Sequence, residues 1–477
     1  MAATLSPPAP ALVGADSHAR AVAALLASFD AIPAGMPVRL AKRTTNLFRP
    51  RAARTVPGLD VSRLTGVLDV DPEARTATVQ GMATYETVVD ATLAHGLMPL
   101  VVPQLKTITL GGAVTGLGIE ASSFRNGLPH ESVRSMDLLV GTGEIRTVTP
   151  DGPDAQLFRT FPNSYGSLGY AVSLTVDLEP VAPWVRLRHI RFHDFAALTE
   201  AVRRIVAERS WEGRPVDFLD GVVFARDTAY LTLGTWAQRL DEGERPSDYT
   251  GQGIYYRSLT ERATDVLTVR DFLWRWDTDW FWCSRAFGVQ RPVVRRLWPD
   301  RFKRSDVYMR LVGVENRWHP AARIDRMRGK PPRERVVQDV EIPLERTAEF
   351  LDWFLHDVPI EPIWLCPIRL REPAPIPTPE GEATWPLYPM RPGEVYVNVG
   401  FWSTVPILPG RADGDVNRAI EAQVDALGGH KSLYSDAYYS REDFHARYGG
   451  TAYQASKRRY DPRRRFADLY DKAVGRR

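Results

Sequence analysis

The feature that most constrains this chain is a glycine-rich stretch, TLGGAVTGLGIEASS, at residues 109–123. A second glycine pair follows in GSLG at residues 166–169. Glycine has no Cβ, so the backbone can approach a ligand closely and offer amide groups to phosphate oxygens without Lys or Arg. Each glycine alone fits an ordinary turn, but together they predict a loop that binds a pyrophosphate.

The same stretch also matches the Rossmann dinucleotide-binding motif. GLGIEA at residues 116–121 fits that pattern, and Asp137 follows at a distance suited to a ribose contact. A Rossmann loop must begin a long helix. Turn residues, SSFRNGLP at 122–129, stand where that helix should run. The sequence therefore favours a different kind of dinucleotide loop.

Strand and helix patterns in the first part of the chain mix without a βαβ period. Helical spacing covers residues 17–30 and 85–96, and β-rich runs flank turns at 67–81 and 135–150. Further strands are predicted at 98–102 and 170–178. This order favours an α+β fold over a doubly wound sheet.

The second part of the chain is richer in aromatic residues and begins after Pro180 and Pro183, which interrupt the strand pattern. Its predicted strands are 220–233, 307–314, 336–342, 363–370 and 395–402. A Trp-rich stretch between them is predicted to be helical. The crowding of Trp274, Trp276, Trp280, Trp282 and Trp298 suits a large apolar ligand or a membrane interface.

Composition excludes several classes of function. A net charge of +3 from 61 basic and 58 acidic residues gives no reason to expect a nucleic-acid partner. The two cysteines lie far apart, which predicts neither a disulfide framework nor a metal site. With no leader pattern and no apolar stretch of about 18 residues, we expect a cytoplasmic protein, soluble or peripheral at the inner membrane face.

Six sequence blocks resemble known flavoproteins. They are TLGG at 109–112, GLGIEASS at 116–123, GSLG at 166–169, VVQD at 336–339, PIWLCP at 362–367 and LYSDAYYSREDF at 433–444. The first and third resemble the FAD domain of the vanillyl-alcohol-oxidase-type, or PCMH-type, flavoproteins. Together, the blocks resemble the Δ24-sterol reductase family along most of the chain.

The resemblance implies an α+β fold with a two-part PCMH-type FAD-binding domain and an α+β substrate cap domain. The implied division is a disordered segment at 1–14, the FAD-binding domain at 15–185, the cap at 186–440 and a tail at 441–477 that returns to the FAD domain. Residues 41–46 replace the Gly-rich first phosphate loop of many relatives. No His stands in the Gly-Gly block where some relatives attach flavin, so FAD is expected to bind non-covalently.

The resemblance also implies which residues contact FAD. They are Thr109, Leu110, Gly111, Gly112, Thr115, Gly116, Gly118, Ser122, Ser123, Gly166, Ser167, Gly169, Tyr170 and Lys457. The basic run at 463–465 is a further candidate for phosphate or lipid-headgroup contact, against the ordinary interpretation of a solvated face.

Reduction of an unactivated alkene couples hydride delivery to protonation of the other carbon, so an acid must face the flavin across the substrate. The candidate catalytic residues are Glu120, Asp339, Tyr434 and Asp436, and the sequence does not rank them against Tyr438, His430 and His445. Asp339 stands out because it lies in a strand pattern between apolar residues, and a buried Asp needs partners.

The family implies FAD, NADPH as electron donor and a lipid alkene as acceptor. Only seven of the 61 basic residues are Lys, a bias usual in bacteria with GC-rich genomes. Bacterial relatives of this kind include reductases of methylene-branched acyl chains that work beside a SAM-dependent methyltransferase. We therefore expect a 10-methylene fatty acyl substrate, with a Δ24-sterol, an FAD-dependent oxidase or dehydrogenase of an alcohol or sugar, or a non-catalytic lipid-binding protein as alternatives.

Overall fold

A computed structural model describes residues 11–42, 48, 57–318, 323, 327–371, 373, 375–378 and 381–474. Its strands are β1 Val67–Asp71, β2 Thr76–Gln80, β3 Leu97–Pro99, β4 Val133–Leu139, β5 Ile145–Val148, β6 Tyr170–Pro180, β7 Trp184–Phe192, β8 Ser210–Trp211, β9 Arg214–Pro215, β10 Phe218–Ala225, β11 Thr228–Ala237, β12 Thr264–Thr268, β13 Arg333–Pro343, β14 Ile363–Arg369, β15 Ile376–Thr378, β16 Gly381–Ala383, β17 Val395–Pro406 and β18 His430–Lys431.

The α-helices are Ala15–Asp30, Tyr85–Leu93, Leu110–Thr115, Ser123–Asn126, Ala155–Thr160, Phe195–Glu208, Tyr255–Glu261, Val269–Trp274, Pro292–Leu297, Ser305–Trp318, Leu344–Asp357, Asp415–Ala426, Arg441–Arg447, Gly450–Tyr460 and Leu469–Ala473. Short 3₁₀ turns are formed by Pro129–Ser132, Cys283–Phe287 and Asp300–Phe302. Of the segment 1–14 that is predicted to be disordered, residues 1–10 lie outside the described residues. Residues 43–46 of the loop at 41–46 also lie outside them.

Two large sheets organise the molecule. The first has the order β1-β2-β6-β4-β5, with β3 also pairing with β6, and the second has the order β12-β7-β11-β10-β14-β17-β13-β18. All of these strand pairs are antiparallel. The predicted α+β class is therefore confirmed over a doubly wound sheet. The chain passes between the sheets from Pro180 to Trp184; the exact domain bounds stay a prediction.

The two faces of the second sheet are covered differently. On β14, Ile363 and Leu365 pack into a core cluster with three helices, Phe195–Glu208, Leu344–Asp357 and Asp415–Ala426. Trp364, between them in sequence, belongs to a separate core that it shares with the first sheet. Because side chains alternate along a strand, one face of this sheet is fixed by helices while the other is turned toward the first sheet.

One predicted strand is wrong, and the predicted Trp-rich helical stretch is helical only in part. Residues 307–314 form part of the helix Ser305–Trp318 and not a strand. Their apolar residues recur at helical spacing, and the Val-rich composition suggested a strand instead. The Trp-rich stretch is helical at Val269–Trp274 and again at Pro292–Leu297. Between these helices the chain turns, and Trp280 and Phe281 take positive φ angles of 45° and 60°.

The Trp cluster is mainly internal. Trp274, Trp276, Trp280 and Trp282 are buried, so these four do not present a surface to a bilayer. Within the part of the chain that the structure describes, no helix is both long and apolar enough to cross a membrane.

Candidate active site

The glycine-rich stretch folds into a tight turn and the short helix Leu110–Thr115, with Thr109 at its start. The amide of Gly111 donates a hydrogen bond of 3.0 Å to the carbonyl oxygen of Gly81. A Cβ at Gly111 would lie 2.5 Å from that oxygen. Glycine is therefore required here by the close approach of two backbone segments.

This loop forms one wall of a cavity of about 1070 Å³. The sequence-predicted residues that line it are Thr109, Gly111, Gly112, Thr115, Gly116, Gly118, Gly166, Tyr170, Lys457, Asp339 and Tyr434. This volume slightly exceeds the range of about 300–1,000 Å³ found for small-molecule sites. It leaves room for a dinucleotide together with part of a substrate.

Five predicted cofactor residues do not line the cavity. They are Leu110, Ser122, Ser123, Ser167 and Gly169. The Ser122 hydroxyl donates a hydrogen bond of 2.8 Å to the carbonyl oxygen of Leu100, and a Cβ at Gly169 would lie 2.7 Å from the carbonyl oxygen of Leu139. These residues do not face the cavity, and Ser122 and Gly169 pack against the backbone of neighbouring segments.

Among the described residues, six basic side chains line the cavity. They are Arg39, Lys42, Arg441, Lys457, Arg464 and Lys472, with Asp468 and Asp471 among them. The ammonium group of Lys472 donates to the carbonyl oxygens of Tyr165 and Gly166 at 3.1 and 2.6 Å, which holds the tail against the second glycine pair. The sequence singled out only Lys457 and the run at 463–465, because the others come together through the tertiary fold.

Aromatic side chains form another part of the wall, and sequence reasoning did not assign most of them to the site. Trp280, Phe281, Trp364 and Trp402 all line the cavity. The ring centroids of Phe281 and Trp402 are 4.4 Å apart, and Phe48 stacks on Trp280 at 5.8 Å. The strained turn that carries Trp280 and Phe281 thus presents two apolar faces to a ligand.

Asp339 supplies a carboxyl group to this apolar region. On β13 its neighbour Gln338 points the other way and donates its amide to Asn417, so the alternation of the strand turns Asp339 toward the cavity. Asn398 donates a hydrogen bond of 2.9 Å to the Asp339 carboxylate. A Cβ at the opposing Gly400 would lie 2.5 Å from that carboxylate, so glycine makes room for it.

Burial raises the pKa of the Asp339 carboxyl to about 6, against the lowering effect of hydrogen bonds from Asn398 and Tyr434. Burial, followed by the nearby Asp339 charge, raises the pKa of the Tyr434 hydroxyl well above its usual range. At neutral pH, Tyr434 is therefore a neutral donor, and Asp339 titrates close to the working range of an enzyme.

Glu120 is a correction among the catalytic candidates, because it does not line the cavity. It is buried in an ionic cluster in which the Arg275 guanidinium contacts Glu120 at 3.2 Å and Asp220 at 2.8 Å. Burial raises the pKa of Glu120 to about 7, although Arg275 opposes that shift. The cluster ties the glycine loop to β10 of the second sheet.

Asp436 is the second correction, since it also lies outside the cavity lining. Its carboxylate accepts a hydrogen bond of 2.9 Å from Arg335, and the same guanidinium donates at 2.7 Å to the carbonyl oxygen of Phe48. The amide of Phe48 donates in turn to the carbonyl oxygen of Tyr434 at 3.0 Å. Through Arg335, Asp436 therefore helps to hold Phe48, which stacks on Trp280 of the cavity wall.

The residues present fit FAD. A dinucleotide needs a backbone cradle for its pyrophosphate, cations nearby and flat apolar surfaces for its rings. The cavity joins the glycine loop, whose Gly111 has no space for a Cβ, to basic side chains and to Trp280, Trp364 and Trp402.

Comparisons with known proteins agree with this site. Residues 11–149 match the family described as an FAD binding domain. The chain is 25% identical to the Delta(24)-sterol reductase of Homo sapiens over 86% of its own length and 76% of that protein. It is 23% identical to the Delta(24)-sterol reductase of Arabidopsis thaliana over 87% and 76%, and 26% identical to Cytokinin dehydrogenase 4 of Oryza sativa subsp. japonica over 36% and 32%. The chain is therefore an FAD-dependent oxidoreductase, similar to the Δ24-sterol reductases over most of its length.

Proposed function

We propose that the protein uses non-covalently bound FAD to reduce an isolated carbon–carbon double bond in a lipid. The observation that carries this proposal is the position of Asp339, an acid with a pKa of about 6 that lines the same cavity as the glycine loop and the aromatic wall. An alkene in an apolar chain has no polar group to bind, so aromatic surfaces and one proton donor are the features its reduction requires.

The glycine loop at 109–118 and the second pair at 166–169 would hold the cofactor, with Lys472 bracing the second pair. Bound FAD that has first been reduced with electrons from NADPH would supply the hydride that one alkene carbon receives. Among the described residues that line the cavity there is no His or Cys. This supports a dissociable flavin.

Asp339 would give its carboxyl proton to the other alkene carbon, so that a hydride and a proton together convert C=C into CH–CH. Asn398 and Tyr434 orient the carboxyl group and, by donating hydrogen bonds, stabilise the negative charge that remains on the Asp339 carboxylate. Solvent then returns the proton to Asp339 after the product leaves. Trp280, Phe281 and Trp402 exclude water from the reacting carbons.

For the substrate we propose a 10-methylene fatty acyl chain on phospholipid, reduced to the 10-methyl chain with electrons from NADPH. The Arg-rich, Lys-poor composition, usual in GC-rich bacteria, supports an acyl substrate, since most bacteria make no sterol. A methyltransferase that installs the branch would supply this alkene, and peripheral contact with the inner face of the membrane would give access to it.

A Δ24-sterol is the second candidate, and the similarity to the Delta(24)-sterol reductases favours it. Both alkenes are carried on a long apolar skeleton without an adjacent carbonyl. The same arrangement of flavin and Asp339 would serve either one.

The test reduces the holoenzyme anaerobically and mixes it with vesicles that contain a 10-methylene-acyl phospholipid, a Δ24-sterol or a saturated lipid. We expect rapid return of the oxidised-flavin absorbance with the methylene lipid, one saturated product per flavin by mass spectrometry, and no reaction with the saturated control. Faster turnover of the sterol would overturn the acyl assignment. Rapid reoxidation by oxygen alone, with no lipid product, would overturn the reductase assignment in favour of an oxidase.

A further inference from the structure

A second pocket, of about 330 Å³, is lined in part by the 3₁₀ turn Pro129–Ser132. His130, Glu131, Phe158, Arg159 and Trp385 contribute to its lining. His130 and Arg159 are only 1% and 5% exposed. None of these residues lines the larger cavity, and nothing in the proposed reaction uses them.

His130 offers a polar ring to this pocket without a hydrogen-bond partner. Among the described residues, neither of its ring nitrogens is hydrogen-bonded. Burial, with a smaller effect from Arg159, lowers the pKa of the imidazole to about 3, so the ring is neutral and carries one N–H to donate. A buried donor with no acceptor costs about 1–3 kcal/mol, which a suitable ligand would recover.

The Arg159 guanidinium is a buried cation that lines the same pocket. Its guanidinium lies over the Trp385 ring, 4.8 Å from the centroid. In the described part of the chain its Nε has no hydrogen-bond partner, and no carboxylate comes within ion-pair distance of the guanidinium. Buried charges are ordinarily paired. Asp151 and Glu131 act on this guanidinium only from beyond ion-pair distance. Among the described residues, the positive charge in the pocket therefore has no carboxylate in direct contact.

Glu131, the carboxylate in the pocket lining, is engaged elsewhere. One of its oxygens accepts from the amide of Leu128 and the other from the amide of Arg371, both at 2.9 Å. The Arg371 guanidinium also donates to the Glu131 carbonyl oxygen at 3.0 Å. These bonds point the carboxylate toward backbone donors, and its distance from Arg159 exceeds that of an ion pair.

We propose that this pocket is a binding site for a small oxyanion, a phosphate or a carboxylate, held by the Arg159 guanidinium and the His130 N–H. The volume lies at the lower limit of the range of about 300–1,000 Å³ for small-molecule sites. It suits a free anion and is too small for a second dinucleotide. Arg159 supplies the fork of donors that matches oxyanion geometry.

Tyr388 connects this pocket to the glycine loop. His130 stacks on Tyr388 with ring centroids 4.9 Å apart, and the Tyr388 hydroxyl donates to the carbonyl oxygen of Gly116. An anion that fixes the position of His130 would thus affect Gly116, which lines the larger cavity, through Tyr388.

The test titrates inorganic phosphate into the FAD-loaded enzyme by isothermal calorimetry, with acetate and chloride as separate arms at constant ionic strength. The bound flavin keeps phosphate out of the pyrophosphate position in the larger cavity. We expect saturable binding of phosphate or acetate and none of chloride. No saturable heat with either oxyanion would overturn the proposal.

Variants then locate the site. Arg159→Gln is expected to weaken oxyanion binding about tenfold or more, because a charge-assisted hydrogen bond is lost. Arg159→Lys should retain part of it. Arg458→Gln, an exposed position on the helix Gly450–Tyr460, is the matched control and should bind as the wild type does. Unchanged affinity in a folded, yellow Arg159→Gln protein would contradict the assignment. If that variant does not fold, His130→Phe provides the test: loss of oxyanion binding would support the assignment, and unchanged binding would contradict it.

Discussion

The indole N–H of Trp402 donates a 3.0 Å hydrogen bond to the hydroxyl oxygen of Tyr434, and both residues line the cavity that contains Asp339. Because the Tyr434 oxygen accepts from the indole, its own proton is free to be donated to the Asp339 carboxylate. The two strands that carry Asp339 and Trp402, β13 and β17, pair directly. The acid is thus positioned by a hydrogen-bonded group that is itself fixed by the aromatic wall.

Asp339→Asn is expected to lower the rate of lipid reduction by about 100-fold or more, because general acid catalysis contributes roughly 10²–10⁴-fold. In the wild-type enzyme the rate of the substrate half-reaction should fall as the pH rises through about 6, since only the protonated carboxyl can donate. Stopped-flow rates across pH check this. Asp339→Asn should keep its FAD absorbance and lose the descending limb of the pH–rate profile. An unchanged descending limb would assign the proton to another group.

Tyr434→Phe is expected to move that limb to higher pH. The Tyr434 hydrogen bond lowers the pKa of Asp339, so its removal raises the pKa, by on the order of one unit. The same pH profile measures the shift. An Asn398→Leu variant should shift the limb in the same direction, because Asn398 also donates to the Asp339 carboxylate. A shift to lower pH in either variant would contradict the arrangement.

Gly111→Ala is expected to reduce FAD affinity and to destabilise the protein by about 1–3 kcal/mol, the range for overpacking a close contact. The new Cβ would lie 2.5 Å from the Gly81 carbonyl oxygen, and one of the two backbone segments must move. Fluorescence titration of apoprotein with FAD and thermal unfolding measure the two effects. Gly313→Ala, on an open helix position with no atom within 4 Å of the new Cβ, is the control and should leave FAD affinity unchanged.

Lys457→Met is expected to lower stability by about 3–5 kcal/mol, because it removes the cation paired with the buried Asp461 carboxylate and, among the described residues, leaves that charge only the backbone amides of Arg465 and Phe466 as donors. The Lys457 ammonium group donates to Asp461 at 2.6 Å and to the carbonyl oxygens of Ser167 and Phe466 at 2.7 and 2.8 Å. Denaturant unfolding of the holoenzyme measures the loss. The double variant Lys457→Met/Asp461→Asn should recover part of it, whereas additive losses would argue against a coupled pair.

Several parts of this site follow from local sequence. The glycine block predicts a ligand loop because the absence of Cβ atoms acts within a few residues of backbone. The position of Asp339 in an alternating strand predicts a side chain that turns to one face, and Asp339 does face the cavity. By contrast, the apolar residues at 307–314 are compatible with either strand or helix, and packing decided for the helix.

The sequence by itself determined the kind of ligand, since a backbone cradle at 109–118 and an α+β order of elements depend on local stereochemistry. Only the tertiary structure decided which side chains meet that ligand. Arg39 and Lys472 lie near opposite ends of the chain, and both line one cavity. Glu120 lies only two residues after the loop glycine Gly118, yet it is turned into an ionic cluster with Arg275. Such long-range juxtapositions arise from the burial of the two sheets against a shared core, which no local pattern encodes.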